Sequence, residues 1–303
     1  KQNRTVRVME KEHVPMLWWA GMTFVSVINI GAFLRVRTKE KDASKTDYQL
    51  LLQRLAGIYV FICAFRAMLP RIDVERVCFW DSWLSSVIVG RSVATIAELA
   101  FAAQICICVA SLAGDLAKEK VDLKGITRAI QICAKLCFGL IILAEICSWT
   151  GVLTTVQIWN ASEESLWMIV ATLLTLCCAV LYTKMDKQER EFKVMNSRSL
   201  REKQEYQAAM HSARGFLLGI LILAPIYIAF MVSVDIPMYY SRWQASGGQL
   251  PGLPSMESLM QGFLNGCYVV THEYNAWKED MVWMAGYFSA AVWGSIWIGA
   301  HPP

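Results

Sequence analysis

Charge is what this chain mostly lacks. Only 18% of its 303 residues are Asp, Glu, Lys or Arg, against about 25% in an ordinary soluble domain. Residues 14–33, 215–234 and 281–300 contain no charge at all, and each matches the roughly 20 apolar residues that cross a bilayer as a helix. Residues 166–182 are also uncharged but shorter; 83–113 and 126–153 are longer and carry internal charges; 55–69 is short, with Arg66 near its end. A water-soluble fold is excluded by runs of this kind. The expected fold is all-α: a polytopic membrane protein of about seven transmembrane helices, forming a single membrane domain over 1–303.

Several chemistries are excluded by what is missing. The ten cysteines include no Cys-x-x-Cys pair, so no zinc site is expected. Eight of them lie in apolar runs, where Cys behaves as a small hydrophobe. There is no His-Glu-x-x-His, no Gly-x-Ser-x-Gly and no phosphate-binding glycine loop. The last apolar run has no lysine for a retinal Schiff base. It also lacks an Asn-Pro break, and the third ends Ser111-Leu112-Ala113-Gly114-Asp115 without an acidic-Arg-aromatic switch. A seven-crossing topology therefore comes without receptor or retinal-protein residues. No metal and no cofactor are expected, and no family resemblance is apparent.

What is present is an asymmetry. Of the 29 lysines and arginines, eighteen fall on the first, third and fifth connections, from Arg35 to Arg54, Lys118 to Arg128 and Lys184 to Arg214. Nine fall on the opposite side. Excess Lys and Arg marks the cytoplasmic face, so the N-terminus is expected to be exoplasmic and the C-terminus cytoplasmic. The basic blocks lack the aromatic interleaving of nucleic-acid sites, and no nucleic-acid partner is expected. Two sequons, Asn3-Arg4-Thr5 and Asn160-Ala161-Ser162, fall on the expected exoplasmic side. Cys78 and Cys267 are the two cysteines on exoplasmic connections, hence the one pair able to form a disulfide there. The chain opens at Lys1 after no apolar leader and stops at Pro303 just past an apolar run, the expectation for a processed or trimmed product.

Two connections have patterns of their own. Residues 184–214 are rich in Lys, Arg, Glu and Gln, with pairs such as Glu189–Lys193 at helical spacing, which predicts a charged cytoplasmic helical extension of the fifth crossing. Residues 235–280 carry Tyr239, Tyr240, Trp243, Tyr268, Tyr274 and Trp277, rings suited to headgroup level. Within them Met256, Leu259, Met260, Phe263, Cys267 and Val270 recur at steps of three and four, opposite Glu257, Gln261 and Asn265. That stripe predicts an exoplasmic amphipathic helix lying in the interface.

Ionisable residues inside apolar runs are the candidate functional groups. Arg91 and Glu98 are seven apart on one face of the third run, while Lys135 and Glu145 lie in the fourth. In an antiparallel hairpin, residues at equal depth have a nearly constant sum of position numbers. Arg91 with Glu145 and Glu98 with Lys135 meet that condition within three residues, about 4.5 Å of helix rise. Arg66, Arg71, Arg76 and Asp81 gather at the expected exoplasmic mouth, where arginines suit a phosphate or carboxylate headgroup. His272, Glu273 and Asp280 lie there too and, with Glu98, form the candidate acid–base set of a membrane enzyme acting on a lipid.

The leading expectation is non-enzymatic: a membrane-embedded subunit or lipid-binding component of a larger assembly, its partners membrane lipids and other membrane proteins. A lipid enzyme at the exoplasmic face and a transporter using the intramembrane charges are the alternatives; the second lacks matched inverted repeats.

Overall fold

The computed structural model describes residues 2–39, 45–119, 123–194, 200–249, 255–264 and 267–303. Within these, the side chains of 2–12, 39, 119, 187–194, 200–206, 208, 209, 258, 259 and 262 are not among those described. The Asn3 sequon, Lys41, the basic side chains from Lys187 to Lys203, and Leu259 and Asn265 of the expected stripe lie outside the described residues.

The fold is an all-α polytopic bundle. Among the described residues, seven helices are long and apolar enough to cross a membrane: His13–Thr38, Asp47–Met68, Val87–Lys118, Lys124–Thr154, Ile158–Asp186, Met210–Ala245 and Asp280–Ala300. Each falls on one of the seven expected runs, and most exceed them, because polar ends that close a helix add nothing to an apolar run. Helix α1 is Gln2–Lys39, and α2, Asp47–Met68, begins well before its apolar stretch. Its start is set by a capping box. The Gln49 amide donates to Thr46 Oγ1 at 3.3 Å and the Thr46 amide to Gln49 Oε1 at 3.0 Å, satisfying two donors that a helix terminus leaves open. Pro70 follows the last turn. Helix α3, Val87–Glu119, starts later than expected because Trp83–Ser85 forms a separate 3₁₀ turn capped by Ser82.

Helices α4, Lys124–Thr154, and α5, Ile158–Val194, follow. The charged connection is helical on both sides: α5 runs to Val194, and α6, Leu200–Phe230, begins within it. The sixth crossing does not stop at Val234. A π-helical turn, Met231–Asp235, leads directly into α7, Ile236–Ala245, so the first part of the expected exoplasmic segment continues the crossing. Then come α8, Met256–Leu264, and the short α9, Tyr274–Trp277. The last crossing comprises α10, Asp280–Gly286, a second π turn, Tyr287–Ala291, and α11, Val292–Ala300.

The chain falls into two compact units, one of Lys1–Phe101, Trp149–Val156 and Leu250–Ala300, the other of Ala102–Ser148, Gln157–Gln249 and His301–Pro303. In the first, α1, α2 and α11 pack around Met22, Phe33, Tyr59, Val60, Phe288 and Ile296. A Cβ on Gly299 would stand 3.3 Å from that of Ala56, the close approach small residues permit between membrane helices. Above this core lies a three-stranded sheet of two-residue strands, β1 Arg71–Ile72, β2 Val77–Cys78 and β3 Val269–Val270, in the order β1-β2-β3. The first pair is antiparallel and the second parallel. A disulfide joins Cys78 to Cys267, with Cα atoms 5.6 Å apart, the one pairing the sequence allowed on that side. In α8, Phe263 stacks on Trp149 while Met256, Met260 and Leu264 are exposed.

In the second unit α5 packs along α6 and α7. Arg214 reaches Asp186, and Ser212 Oγ donates to the carbonyl of His301 at 2.7 Å.

Candidate functional site

Five charged side chains of the first unit converge below the sheet. Glu98 accepts Arg91 Nη2 at 2.9 Å and Arg66 Nη1 at 3.4 Å. Asp73, in the turn between β1 and β2, lies 2.5 Å from Arg71 Nε and 3.9 Å from both Arg66 and Arg91. Tyr287, at the head of the π turn, donates its hydroxyl to Glu98 Oε1 at 3.4 Å, and Arg66 lies over its ring at 5.6 Å. The elements dictate the geometry. Arg91 and Glu98 share a face of α3, Arg66 ends α2, and the β1–β2 turn brings Asp73 to Arg66 and Arg91 as well as to Arg71. Arginine suits such a centre because its planar fork offers several donors and resists deprotonation. Burial alone would raise the Asp73 carboxyl; Arg71, Arg66 and Arg91 outweigh it and hold the group below the usual carboxylate range.

Arg71 is held against α3. A Cβ on Gly90 would stand 2.6 Å from Arg71 Cδ, so only glycine leaves this side chain its place. Arg71 Nη1 donates to the carbonyl of Ser85. Its Nη2 and the hydroxyl of Ser85 are both buried and make no hydrogen bond. Two donors in one neighbourhood are thus left without acceptors, which a buried polar group rarely tolerates.

Comparison with family models, curated proteins and solved structures finds no match. What the site can do must be read from its own chemistry.

The other candidates have separate settings. Arg76 is fully buried, with Nη2 donating to the Val152 carbonyl at 3.0 Å and its guanidinium 4.9 Å from the Tyr268 ring. Its own carbonyl accepts the amides of Tyr268 and Val269, so it ties the sheet together, and burial pushes its guanidinium below the ordinary arginine value. Asp81 is exposed. His272 packs against the rings of Phe79 and Trp80 at 4.4 and 5.2 Å, Glu273 is exposed ahead of α9, and Asp280 accepts Trp283 Nε1 at 2.9 Å. His272 and Asp280 are thus engaged with aromatic neighbours, whereas Glu273 is exposed.

The expected pairing of Glu98 with Lys135 is corrected. Glu98 is met by Arg66 and Arg91, whereas Lys135 is exposed on the face of α4 that carries Ile132 and Leu136. The helices do run as a hairpin, but Trp149 Nε1 meets Thr95 at 3.0 Å and Gln131 meets the Ala110 carbonyl at 3.3 Å. That register lies about two helical turns further along α4 than the charge pattern implied. Glu145, in the second unit, is buried, its carboxylate within 4.8 Å of that of Glu163. Asn160 is buried and donates to Glu163 at 3.4 Å, so its sequon offers no glycan acceptor.

Sequence reasoning missed Asp73, Ser85 and Tyr287. Asp73 was within reach: Pro70-Arg71-Ile72-Asp73 reads as a strand entering a turn, and an acid there was the natural partner for the arginines around it. Nothing in the sequence singles out Ser85 or Tyr287.

Proposed function

We propose that this multi-pass membrane protein is a non-enzymatic lipid-binding component that holds the phosphate of a lipid headgroup at Arg71 and Ser85. The observation that carries the reading is the pair of buried donors left over there, Arg71 Nη2 and Ser85 Oγ. A guanidinium edge and a hydroxyl match the oxygens of a phosphate. Arg66 and Arg91 add positive potential, while Asp73 and Glu98 keep the arginines fixed in the absence of the anion. The setting fits headgroup depth: the donors sit between the end of α2 and the start of α3, beside Trp83, which is 76% exposed and suited to the interface.

The Cys78–Cys267 bond supports the exoplasmic orientation independently of the cation count, since disulfides persist in oxidising compartments. In this reading lipid chains cover outward faces such as Ile222, Leu223 and Ile226 of α6, and further membrane subunits dock on others.

Native mass spectrometry of the full chain in detergent, with phosphatidylglycerol or inorganic phosphate added, tests it. Retention of the lipid is expected. Ser85→Ala and Arg71→Lys should each weaken it about tenfold, the equivalent of 1.4 kcal/mol, because each removes one charge-assisted hydrogen bond. Displacement by inorganic phosphate alone would assign the site to free anions. Unchanged retention in both variants would overturn the proposal.

A further inference from the structure

The sixth crossing contains a buried acid that the sequence does not advertise. Asp235 closes the π turn Met231–Asp235 and is only 7% exposed. No side-chain hydrogen bond caps α7 at this position, and among the described residues no ion pair or hydrogen bond meets its carboxylate. The charge whose field reaches it is that of Arg242, two turns along the same helix. A carboxylate in a membrane-crossing helix without a partner is costly and marks a functional position by default. Single π turns in α-helices also occur frequently at functional sites, since the widened turn takes a carbonyl out of the regular ladder.

The next residue, Ile236, lines an open groove of about 400 Å³ between α5 and α7, together with Tyr240 and with Ile158, Ala161, Ser162 and Leu166. The serine hydroxyls of that wall are already used. Ser162 donates to the Ile158 carbonyl at 2.9 Å and Ser165 to the Ala161 carbonyl at 2.6 Å, so the wall presents apolar surface. An apolar groove whose wall residue Ile236 directly follows a buried acid in the chain suits a long apolar body ending in a cation that can donate hydrogen bonds.

We infer that this groove binds an amphiphile with a long apolar chain and a protonated primary amine, the chain lying along α5 and α7 and the ammonium pairing with Asp235. The inference shares no residue with the phosphate site at Arg71 and Ser85, and either can fail without the other. The amine belongs either to a free long-chain base or to the headgroup of an amine-bearing phospholipid.

The test uses the full chain in detergent, with binding of dodecylamine read by native mass spectrometry and dodecanol, ethylamine and phosphatidylethanolamine as comparison probes. Dodecylamine should bind, dodecanol should bind at least tenfold more weakly for want of the charge, and ethylamine should not compete for want of the chain. Asp235→Asn should abolish the preference for amine over alcohol while leaving residual chain binding. Ser162→Trp, which fills the groove without touching the acid, should remove binding of both; its melting temperature and that of Asp235→Asn are recorded alongside, so that a folding defect is seen as such. Displacement of dodecylamine by phosphatidylethanolamine would assign the amine to a lipid headgroup, and failure to displace would assign it to a free base. Equal binding of amine and alcohol by the unaltered protein, or an amine preference that survives in folded Asp235→Asn, would overturn the inference.

Discussion

Glu98 shows how a buried charge is made tolerable. Its two oxygens take Arg91, Arg66 and the hydroxyl of Tyr287, so Glu98→Ala removes the acceptor of two buried guanidinia at once. A destabilisation of about 3–5 kcal/mol is expected from stranding charge in this way, measured as a fall in melting temperature in detergent. Adding Lys135→Ala should rescue none of it, because Lys135 is exposed; recovery in the double variant would restore the pairing that the charge pattern suggested. Asp73 yields a pH dependence with a definite sign. Its folded-state pKa lies below the unfolded value of about 3.9, so its contribution is complete above that value and is lost as pH falls through the folded pKa. Melting temperature should drop steeply below about pH 4, and Asp73→Asn should flatten that limb; an unchanged acid limb would contradict the assignment. At this scale the sequence was half legible. That Arg66, Arg71, Arg91 and Glu98 matter followed from the cost of charge in an apolar run, but their partners depend on a turn and a hairpin register that no run of residues encodes.

Elements were more legible than contacts. Each of the seven crossings was found from hydrophobicity alone, since the bilayer admits few alternatives to a helix whose backbone bonds are internal. Their ends were not, because Thr46, Ser82 and Pro70 act through capping and chain geometry, which hydropathy ignores. The two π turns were invisible for the same reason: residue type does not set them. Tertiary contact does. Within the turn Tyr287–Ala291 the carbonyl of Phe288 accepts Asn29 Nδ2 at 3.0 Å, while Trp293 Nε1 donates to Asn29 Oδ1 at 2.6 Å. Asn29→Ala leaves one buried acceptor and one donor open and should cost about 1–3 kcal/mol, again read from melting temperature. The disulfide closes 189 residues of chain and holds β2 beside β3. Cys78→Ser or Cys267→Ser should each lower stability by about 2–4 kcal/mol and abolish the mobility difference between reduced and unreduced protein on gels; a wild-type chain with no such difference would exclude the bond.

For the molecule as a whole, topology links the parts. The cation asymmetry and the disulfide are unrelated observations, one about insertion and the other about redox chemistry, and the proposed orientation, with the β1–β2 hairpin outside the cytoplasm, draws on both. The lipid reading needs this, since the donors at Arg71 and Ser85 must open toward the outer leaflet. Two exposed positions report it directly: Asp81, next to that hairpin, and Lys118, at the far end of α3. The eight free cysteines lie buried or half-buried in crossing helices, so background labelling by a membrane-impermeant thiol reagent is low. In intact cells Asp81→Cys should label fully, and Lys118→Cys only after the membrane is permeabilised. Labelling of Lys118→Cys in intact cells, with Asp81→Cys protected, would invert the topology and contradict the placement of the arginine centre at the outer leaflet.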